Sequence, residues 1–178
     1  MMKFTRKWDI PNHNTFEIPS IKPFVKYYLE RSKISVDPFA RNKNWATYTN
    51  DLNPETSAEF HLNAIEFLTM IKDKGIQPDL VIFDPPYSLR QLKECYENVG
   101  IKFDQKMSQS FHWGEEKRLI DDIADSGTIV LSFGWNSTGM TRKKGYVIEE
   151  ILLVCHGGAH NDTICLAERK NGKQEKLF

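Results

Sequence analysis

The residues best suited to chemistry in this chain are Asp84, Pro85, Pro86 and Tyr87, which directly follow the apolar run at positions 80–83. An apolar run that ends at an acid, two prolines and an aromatic ring predicts a buried strand with a rigid polar end. Each proline biases the residue before it toward an extended backbone, and neither has an N–H to donate. The segment should therefore present hydrogen-bond acceptors beside a flat ring.

Acceptors beside a ring suit the methylation of an exocyclic amine on a base. The lone pair of such an amine is delocalised into the ring, so attack on a sulfonium methyl needs acceptors that take the amine hydrogens and stabilise the developing positive charge. The Asp84 carboxylate and the Pro85 carbonyl can accept these hydrogens. The Tyr87 ring can stack on a base that has been turned out of its helix.

The tetrapeptide Asp84-Pro85-Pro86-Tyr87 resembles the catalytic motif of the S-adenosylmethionine-dependent amino methyltransferases, in the form typical of compact, phage-like DNA N6-adenine enzymes. The resemblance implies an α/β fold, a Rossmann-like class I methyltransferase domain with a mostly parallel seven-stranded sheet and an antiparallel C-terminal hairpin. It also implies S-adenosyl-L-methionine as cofactor, adenine N6 in DNA as acceptor, and the four residues of the tetrapeptide as the catalytic residues.

A second short strand, at positions 34–40, ends in Asp37-Pro38-Phe39. These three residues resemble the start of the cofactor loop in the same superfamily, where glycines usually follow so that backbone N–H groups can approach the ligand. Here Ala40, Arg41 and Asn42 follow instead. Asn42 is the one of the three that best tolerates a left-handed backbone.

An alternating strand at positions 47–50 runs into Asp51. An acid at the end of the second strand is where α/β nucleotide-binding folds hydrogen-bond ribose hydroxyls, so Asp51 is a candidate ribose ligand. The alternative is that Asp51 caps the turn before Asn53-Pro54.

The resemblance implies further cofactor-site residues. Thr15 and Phe16 belong to a segment that lines the pocket for the methionine part of the cofactor, and Leu52 and Asp84 complete the site. Residues 60–63 would form a short third strand, although one continuous helix over positions 55–74 fits the periodicity as well. If residues 60–63 form the strand, the amide oxygen of Asn63 would lie near the adenine ring of the cofactor, where the family usually has an acid.

Alternating helical and strand patterns surround these motifs. Helical spacing predicts helices from Ser20 to about residue 29, over 64–74, from about 89 to Gly100, and over 115–124. Residues 8–19 should form an extended lead-in, 127–135 a buried strand, and 146–155 with 162–169 a hairpin. Residues 101–114 show no period and predict either a lid over the substrate or a satellite hydrophobic cluster.

Composition indicates one ordinary globular domain over residues 1–178, without a separate target-recognition domain. No apolar run approaches the roughly 20 residues of a membrane span, and the N-terminus lacks an apolar signal region, so we expect a cytoplasmic protein without a membrane partner. Three cysteines without redox or metal spacing predict buried free thiols. We expect no metal at Cys155, His156 and His160, because no fourth ligand has recognisable spacing.

Lysine plus arginine and aspartate plus glutamate number 24 each, which predicts no overall attraction to nucleic acid. The expected partner is nonetheless adenine-containing DNA, with site recognition by short loops, a second subunit, a homodimer or another protein. Cytosine N4 and adenine in RNA are the alternative acceptors. A methyltransferase-fold subunit that binds without catalysis is the alternative from a different functional class.

Overall fold

Strands and helices alternate along the chain in the computed structural model, which describes residues 1–104, 113–140, 145–158 and 160–172. The strands are β1 Lys3–Trp8, β2 Ser35–Asp37, β3 Tyr48–Thr49, β4 Leu80–Phe83, β5 Ile129–Gly134, β6 Tyr146–Cys155 and β7 Thr163–Lys170. The helices are α1 Ile21–Leu29, α2 Ala64–Asp73, α3 Leu89–Asn98 and α4 Gly114–Ile123, and Thr15–Glu17 forms one 3₁₀ turn. In these described ranges, no helix combines the length and hydropathy needed to cross a membrane.

The seven strands form one mixed sheet in the order β1-β6-β7-β5-β4-β2-β3. β7 pairs antiparallel with both β5 and β6, and every other pairing is parallel. This topology confirms the predicted fold class, a Rossmann-like α/β sheet that closes on an antiparallel C-terminal hairpin.

Two elements of the sheet differ from the sequence prediction. The predicted third strand at 60–63 is wrong as a strand, because it is reduced to a single parallel bridge between Asn50 and Phe60. The seventh strand is instead β1, which pairs in parallel with β6 at the sheet edge. Five of its six residues are exposed, so the local pattern lacks the alternation of a half-buried strand.

The apolar run of β4 is buried because both faces of the sheet are covered. Leu80 and Ile82 face α1 and the 3₁₀ turn, in a cluster that includes Ile21 and Val25. Val81 and Phe83 face the opposite cluster, which α2 and α4 complete. A strand that is enclosed in this way holds the polar residues that follow it in a fixed position.

The sheet contains a point at which the chain order of its strands reverses. From the neighbouring strands β2 and β4, the chain continues outward to β3 on one side and to β5 on the other. In open α/β sheets, ligands bind outside the carboxyl ends of the strands at this switch point. Asp37 ends β2 and Asp84 follows β4, so both predicted motifs lie there.

Candidate functional site

A cleft of about 660 Å³ runs along the carboxyl edge of the sheet. Its walls come from the loops after β1 to β4, from α3, from the first turn of α4, and from the β6–β7 turn. Ten of the twelve predicted site residues line it: Thr15, Pro38, Phe39, Asp51, Leu52, Asn63, Asp84, Pro85, Pro86 and Tyr87. Parallel strands bring these distant segments together because their carboxyl ends share one edge.

Asp37 and Phe16 lie behind the cleft wall. Asp37 is 1% exposed, and its Oδ1 accepts a hydrogen bond of 3.0 Å from the Phe39 N–H, which shapes the turn after β2. Burial raises the pKa of Asp37 well above its ordinary value. The Phe16 ring packs edge-on against Phe133 in the core and stacks with Trp45. Both residues support the cleft, and direct cofactor contact stays a prediction for them.

Asp84 and Tyr87 of the tetrapeptide predicted to be catalytic form a hydrogen-bonded unit. The Tyr87 hydroxyl donates to Asp84 Oδ1, and Thr15 Oγ1 lies 3.4 Å from the same hydroxyl oxygen. The Tyr87 N–H donates to Gln91 Oε1 at 2.7 Å, which links the segment to α3. Trp135 packs edge-to-face on the Tyr87 ring with centroids 5.9 Å apart. The carboxylate and the ring are therefore held in one arrangement at the end of β4.

Burial controls the protonation of this unit. It raises the pKa of Asp84, while hydrogen bonds from Tyr87 and Thr15 and the positive charge of Arg41 act in the opposite direction. Burial, followed by the negative charge of Asp84, raises the pKa of Tyr87 well above its ordinary value. Tyr87 therefore remains a donor, and Asp84 is an acceptor whenever it is ionised.

The loop that lacks glycines is closed by Arg41. Arg41 has the left-handed backbone, with φ of 51°, although Asn42 is the residue of this loop that tolerates such a backbone best. Its N–H donates to Asp51 Oδ2 at 3.1 Å, and its guanidinium donates to the His13 carbonyl at 2.6 Å. A left-handed backbone costs a non-glycine residue about 1–2 kcal/mol, so these bonds hold a strained loop against the cleft.

Asp51 and Leu52 line the cleft beyond this loop. Besides the bond from Arg41, Asp51 accepts a 2.9 Å hydrogen bond from the Asn53 N–H through Oδ1. The carboxylate therefore shapes the turn, as the alternative reading of the sequence proposed, and also faces the cleft. The ribose role remains a prediction.

Asn63 caps α2. Its Oδ1 accepts from the Ile65 N–H at 2.9 Å, and Glu66 Oε2 accepts from the Asn63 N–H, which completes a capping box. Its Nδ2 donates to the Tyr96 hydroxyl at 3.0 Å. The amide oxygen expected near an adenine ring is thus engaged by the helix end.

Replacing Asn63 by alanine should lower the free energy of unfolding by about 1 kcal/mol, because the N–H groups of the first turn of α2 lose their acceptor. Thermal or urea unfolding of the parent, Asn63→Ala and Asn63→Ser measures this loss. Serine can cap, so Asn63→Ser should retain most of the stability. Equal stability of Asn63→Ala and the parent would show that the cap contributes nothing.

Several residues that shape the cleft were missed at the sequence level. The Asn50 side chain bonds to Pro38 and Leu62, which ties the loop after β2 to the bridge segment at Phe60. Helix α3 contributes Cys95 and Tyr96, and α4 contributes Glu116, which is 4% exposed. The local sequence around these residues does not indicate that they line a cleft, because each contact joins elements that are distant in sequence. Trp135 could have been found, because it directly follows the buried strand β5.

A smaller cavity of about 240 Å³ adjoins the Asp84–Tyr87 tetrapeptide. Pro85, Pro86 and Tyr87 line both this cavity and the main cleft, as do Trp113 and Trp135. Phe83 and Phe133 add apolar surface, and Lys117, Asn136 and Thr138 are among its polar residues. A flat, partly polar ring is the kind of ligand that such aromatic walls accommodate.

His156 joins the hairpin to the N-terminal strand. Its Nδ1 lies 2.8 Å from the Asp9 carbonyl and its Nε2 lies 2.9 Å from Thr163 Oγ1. In the part of the chain that the structure describes, no three His, Cys, Asp or Glu side chains are grouped to hold a metal ion. The three cysteines are free thiols, and Cys155 and Cys165 are buried, whereas Cys95 is only partly buried, which differs from the expectation of three buried thiols. Residues 105–112, which form most of the segment predicted as a lid or a satellite cluster, lie outside the described residues.

Comparisons with known proteins agree with the topology. No protein-family profile matches the chain, and no characterised protein matches it in sequence. Among solved structures, a SAM-dependent methyltransferase from Agrobacterium tumefaciens is similar with a TM-score of 0.55 and 11% identity, over 85% of this chain and 61% of that one. TrmN from Thermus thermophilus is similar with a TM-score of 0.54 and 12% identity, over 86% and 49%.

The chain spans about half to three fifths of the length of these structures. At such identities the likeness concerns the fold alone, because one fold carries many functions. The chain therefore has the fold of a Rossmann-like, class I methyltransferase domain.

Proposed function

We propose that the protein transfers a methyl group from S-adenosylmethionine to an exocyclic amine, specifically N6 of adenine in DNA. The observation that carries this proposal is the paired Asp84 carboxylate and Tyr87 ring, which face a large cleft at the switch point of the sheet. The similar Agrobacterium structure is described as a SAM-dependent methyltransferase, which supports the same cofactor here.

The proposed cofactor would lie along the main cleft in one direction. Asp84 must lie near the methyl group, Asp51 would accept from the ribose hydroxyls, and the segment at Thr15 would contact the methionine part. All three residues line the cleft, and they come from three different segments at its edge. Strand order places Asp51 on the β3 side of Asp84, so the nucleoside should extend toward β3.

Methyl transfer needs an acceptor for the amine hydrogens. Bound S-adenosylmethionine would supply an electrophilic methyl group on its sulfonium: the S–CH₃ bond would break as the N–CH₃ bond forms, S-adenosylhomocysteine would leave, and one amine proton would pass through the acceptors to solvent. Asp84 and the Pro85 carbonyl would accept the two amine hydrogens, which localises the nitrogen lone pair and stabilises the positive charge that develops there. The Tyr87 hydroxyl, by donating to Asp84 Oδ1, orients the carboxylate for this task.

The smaller cavity would receive the ring of the acceptor. Its aromatic walls include Tyr87, Trp113 and Trp135, and it shares the catalytic tetrapeptide with the cofactor cleft. A base held there would be flipped from its helix, which methyltransferases require. Adenine is favoured over cytosine because enzymes that methylate cytosine N4 more often carry serine at the position of Asp84.

The acceptor can be identified by expressing the protein in a host that lacks DNA methylation and analysing the modified bases of its DNA and RNA. We expect N6-methyladenine in DNA at a very short or loosely defined site, since the balanced net charge gives the protein no overall attraction to DNA. N4-methylcytosine, or methyladenine confined to RNA, would replace the proposed acceptor. A long asymmetric site would contradict the predicted loose specificity.

Asp51→Ala should weaken the binding of S-adenosylmethionine about tenfold, because a charged acceptor for a hydroxyl contributes roughly 1.5 kcal/mol or more. Isothermal titration calorimetry of the parent and the mutant measures this change. Asp51→Asn is the matched control, since it retains an acceptor for the turn at Asn53. No binding by the parent would refute the proposed enzyme, and equal affinities would refute the ribose role.

A further inference from the structure

Glu116 is a buried acid that the proposed mechanism does not use. It is the third residue of α4, is 4% exposed, and nevertheless lines the main cleft. Burial raises its pKa, while a hydrogen bond from its own backbone N–H lowers it. Among the described residues, no other group donates to its carboxyl. Burying a carboxyl group is unfavourable unless donors compensate for the lost water. A buried carboxyl group that lines a ligand-sized cleft therefore needs a further hydrogen-bond donor.

Glu116, Asn63 and Tyr96 line the same cleft. Helix α4, whose first turn contains Glu116, packs against α2, which begins directly after Asn63, and Asn63 Nδ2 donates to the Tyr96 hydroxyl. This packing puts Glu116 at the end of the cleft where α2 begins. Burial raises the pKa of Tyr96, the hydrogen bond with Asn63 lowers it, and the negative charge of Glu116 raises it. With the methyl group at Asp84 and the ribose at Asp51, the base of the cofactor must lie beyond the ribose at this end. The walls there include Phe39, whose ring is 5.5 Å from that of Trp113.

Asn63 is poorly placed to read that base. Its Oδ1 already accepts from the Ile65 N–H, and its Nδ2 donates to the Tyr96 hydroxyl. Turning the amide toward a ligand would break the cap of α2. A base with an exocyclic amine needs an acceptor at this end of the cleft, and Glu116 offers one that is not committed to the fold.

We infer that Glu116 accepts a hydrogen bond from the exocyclic amine of the cofactor base and so selects an aminopurine nucleoside. The inference rests on the proposed function, because it takes the cofactor orientation from Asp84 and Asp51. It assigns base recognition to α4, not to the segment that follows the β3 region. Apolar walls at Phe39, Leu62 and Ala64 would enclose the ring of the cofactor base, and Glu116 would recognise the edge that carries the amine.

The test combines removal of the amine with removal of the carboxyl group. Calorimetry measures the binding of S-adenosylhomocysteine and of its 6-deamino purine analogue to the parent, Glu116→Ala and Glu116→Gln. In the parent, loss of the amine should weaken binding about tenfold, because the buried acid loses its partner. In Glu116→Ala the same loss should change binding less than twofold. Glu116→Gln retains an acceptor oxygen, so it should preserve most of the parent's preference for the ligand with the amine.

Asn63→Ser is the matched control, because serine maintains the helix cap but removes the amide. The ratio of its affinities for S-adenosylhomocysteine and for the 6-deamino analogue should equal that of the parent. Two results would overturn the assignment even if S-adenosylhomocysteine still binds. One is that the effects of removing the amine and of Glu116→Ala are additive, and the other is that Asn63→Ser loses the preference for the ligand with the amine. Absence of binding to the parent would overturn this inference and the proposed function together. Thermal melting of each variant shows that a loss of binding does not reflect unfolding.

Discussion

Asp84→Ala should lower the rate of methyl transfer in a single turnover roughly a hundredfold or more, with little change in cofactor affinity. The carboxylate is a preorganised acceptor, half-buried and held by the Tyr87 hydroxyl, and its interaction with the amine strengthens as the nitrogen becomes positive. Removing one such group costs on the order of 3 kcal/mol of barrier. Rapid-quench assays on adenine-containing oligonucleotides measure the rate, and calorimetry measures the affinity.

The same mechanism predicts the direction of the pH dependence. The amine hydrogens need an ionised Asp84, so the single-turnover rate should rise with pH through the Asp84 pKa, which burial places above the ordinary aspartate value. Tyr87→Phe removes a hydrogen bond that lowers this pKa, so its acid limb should move to higher pH. Asp84→Asn has no ionisable group at this position, so the acid limb of its pH–rate profile should be absent.

Two outcomes would contradict the role of Asp84. One is a well-folded Asp84→Ala protein that retains near-parental rates, which would make the residue structural. The other is a parallel loss of cofactor affinity and rate, which would show that Asp84 binds the cofactor equally in the ground state and the transition state. Thermal melting separates either outcome from unfolding.

Tyr87→Ala should fail in a different way, mainly through weaker capture of the acceptor base. An aromatic ring that stacks on a flipped base contributes about 1–3 kcal/mol, so the apparent affinity for the oligonucleotide should fall between about fivefold and a hundredfold. The change should exceed any effect on cofactor affinity, because the ring also lines the smaller cavity proposed for the acceptor. Single-turnover rates measured over a range of oligonucleotide concentrations give the affinity and the rate separately.

Tyr87→Phe and Tyr87→Trp are the matched controls, because both keep a ring for stacking. Both should restore much of the oligonucleotide affinity lost in Tyr87→Ala. Tyr87→Phe also lacks the hydroxyl that donates to Asp84, so its rate should depend on pH as described above. If Tyr87→Phe captures the oligonucleotide as poorly as Tyr87→Ala does, the ring does not stack on the base.

The loop after β2 illustrates what composition alone could not predict. The sequence shows that glycines are missing between Asp37 and Asp51, and this suggested a loop poorly suited to a ligand. The structure places Arg41 in the left-handed conformation and bonds it to Asp51 and to the N-terminal segment. The strain at one residue is offset by partners that are distant in sequence, so no local pattern could indicate it.

The sequence predicted the sheet fold, the position of the candidate catalytic tetrapeptide and ten of the residues that line the cleft. It could do so because apolar runs, helical periods and proline positions are local consequences of side-chain chemistry. The Asn63 cap joins residues only two and three positions apart, so a capping box was also open to prediction from the sequence. Two matters required the tertiary structure: the pairing of β1 with β6, and the burial of Glu116 at the cleft. Each depends on which distant segments meet at one edge of the sheet, and local patterns carry no information about such meetings.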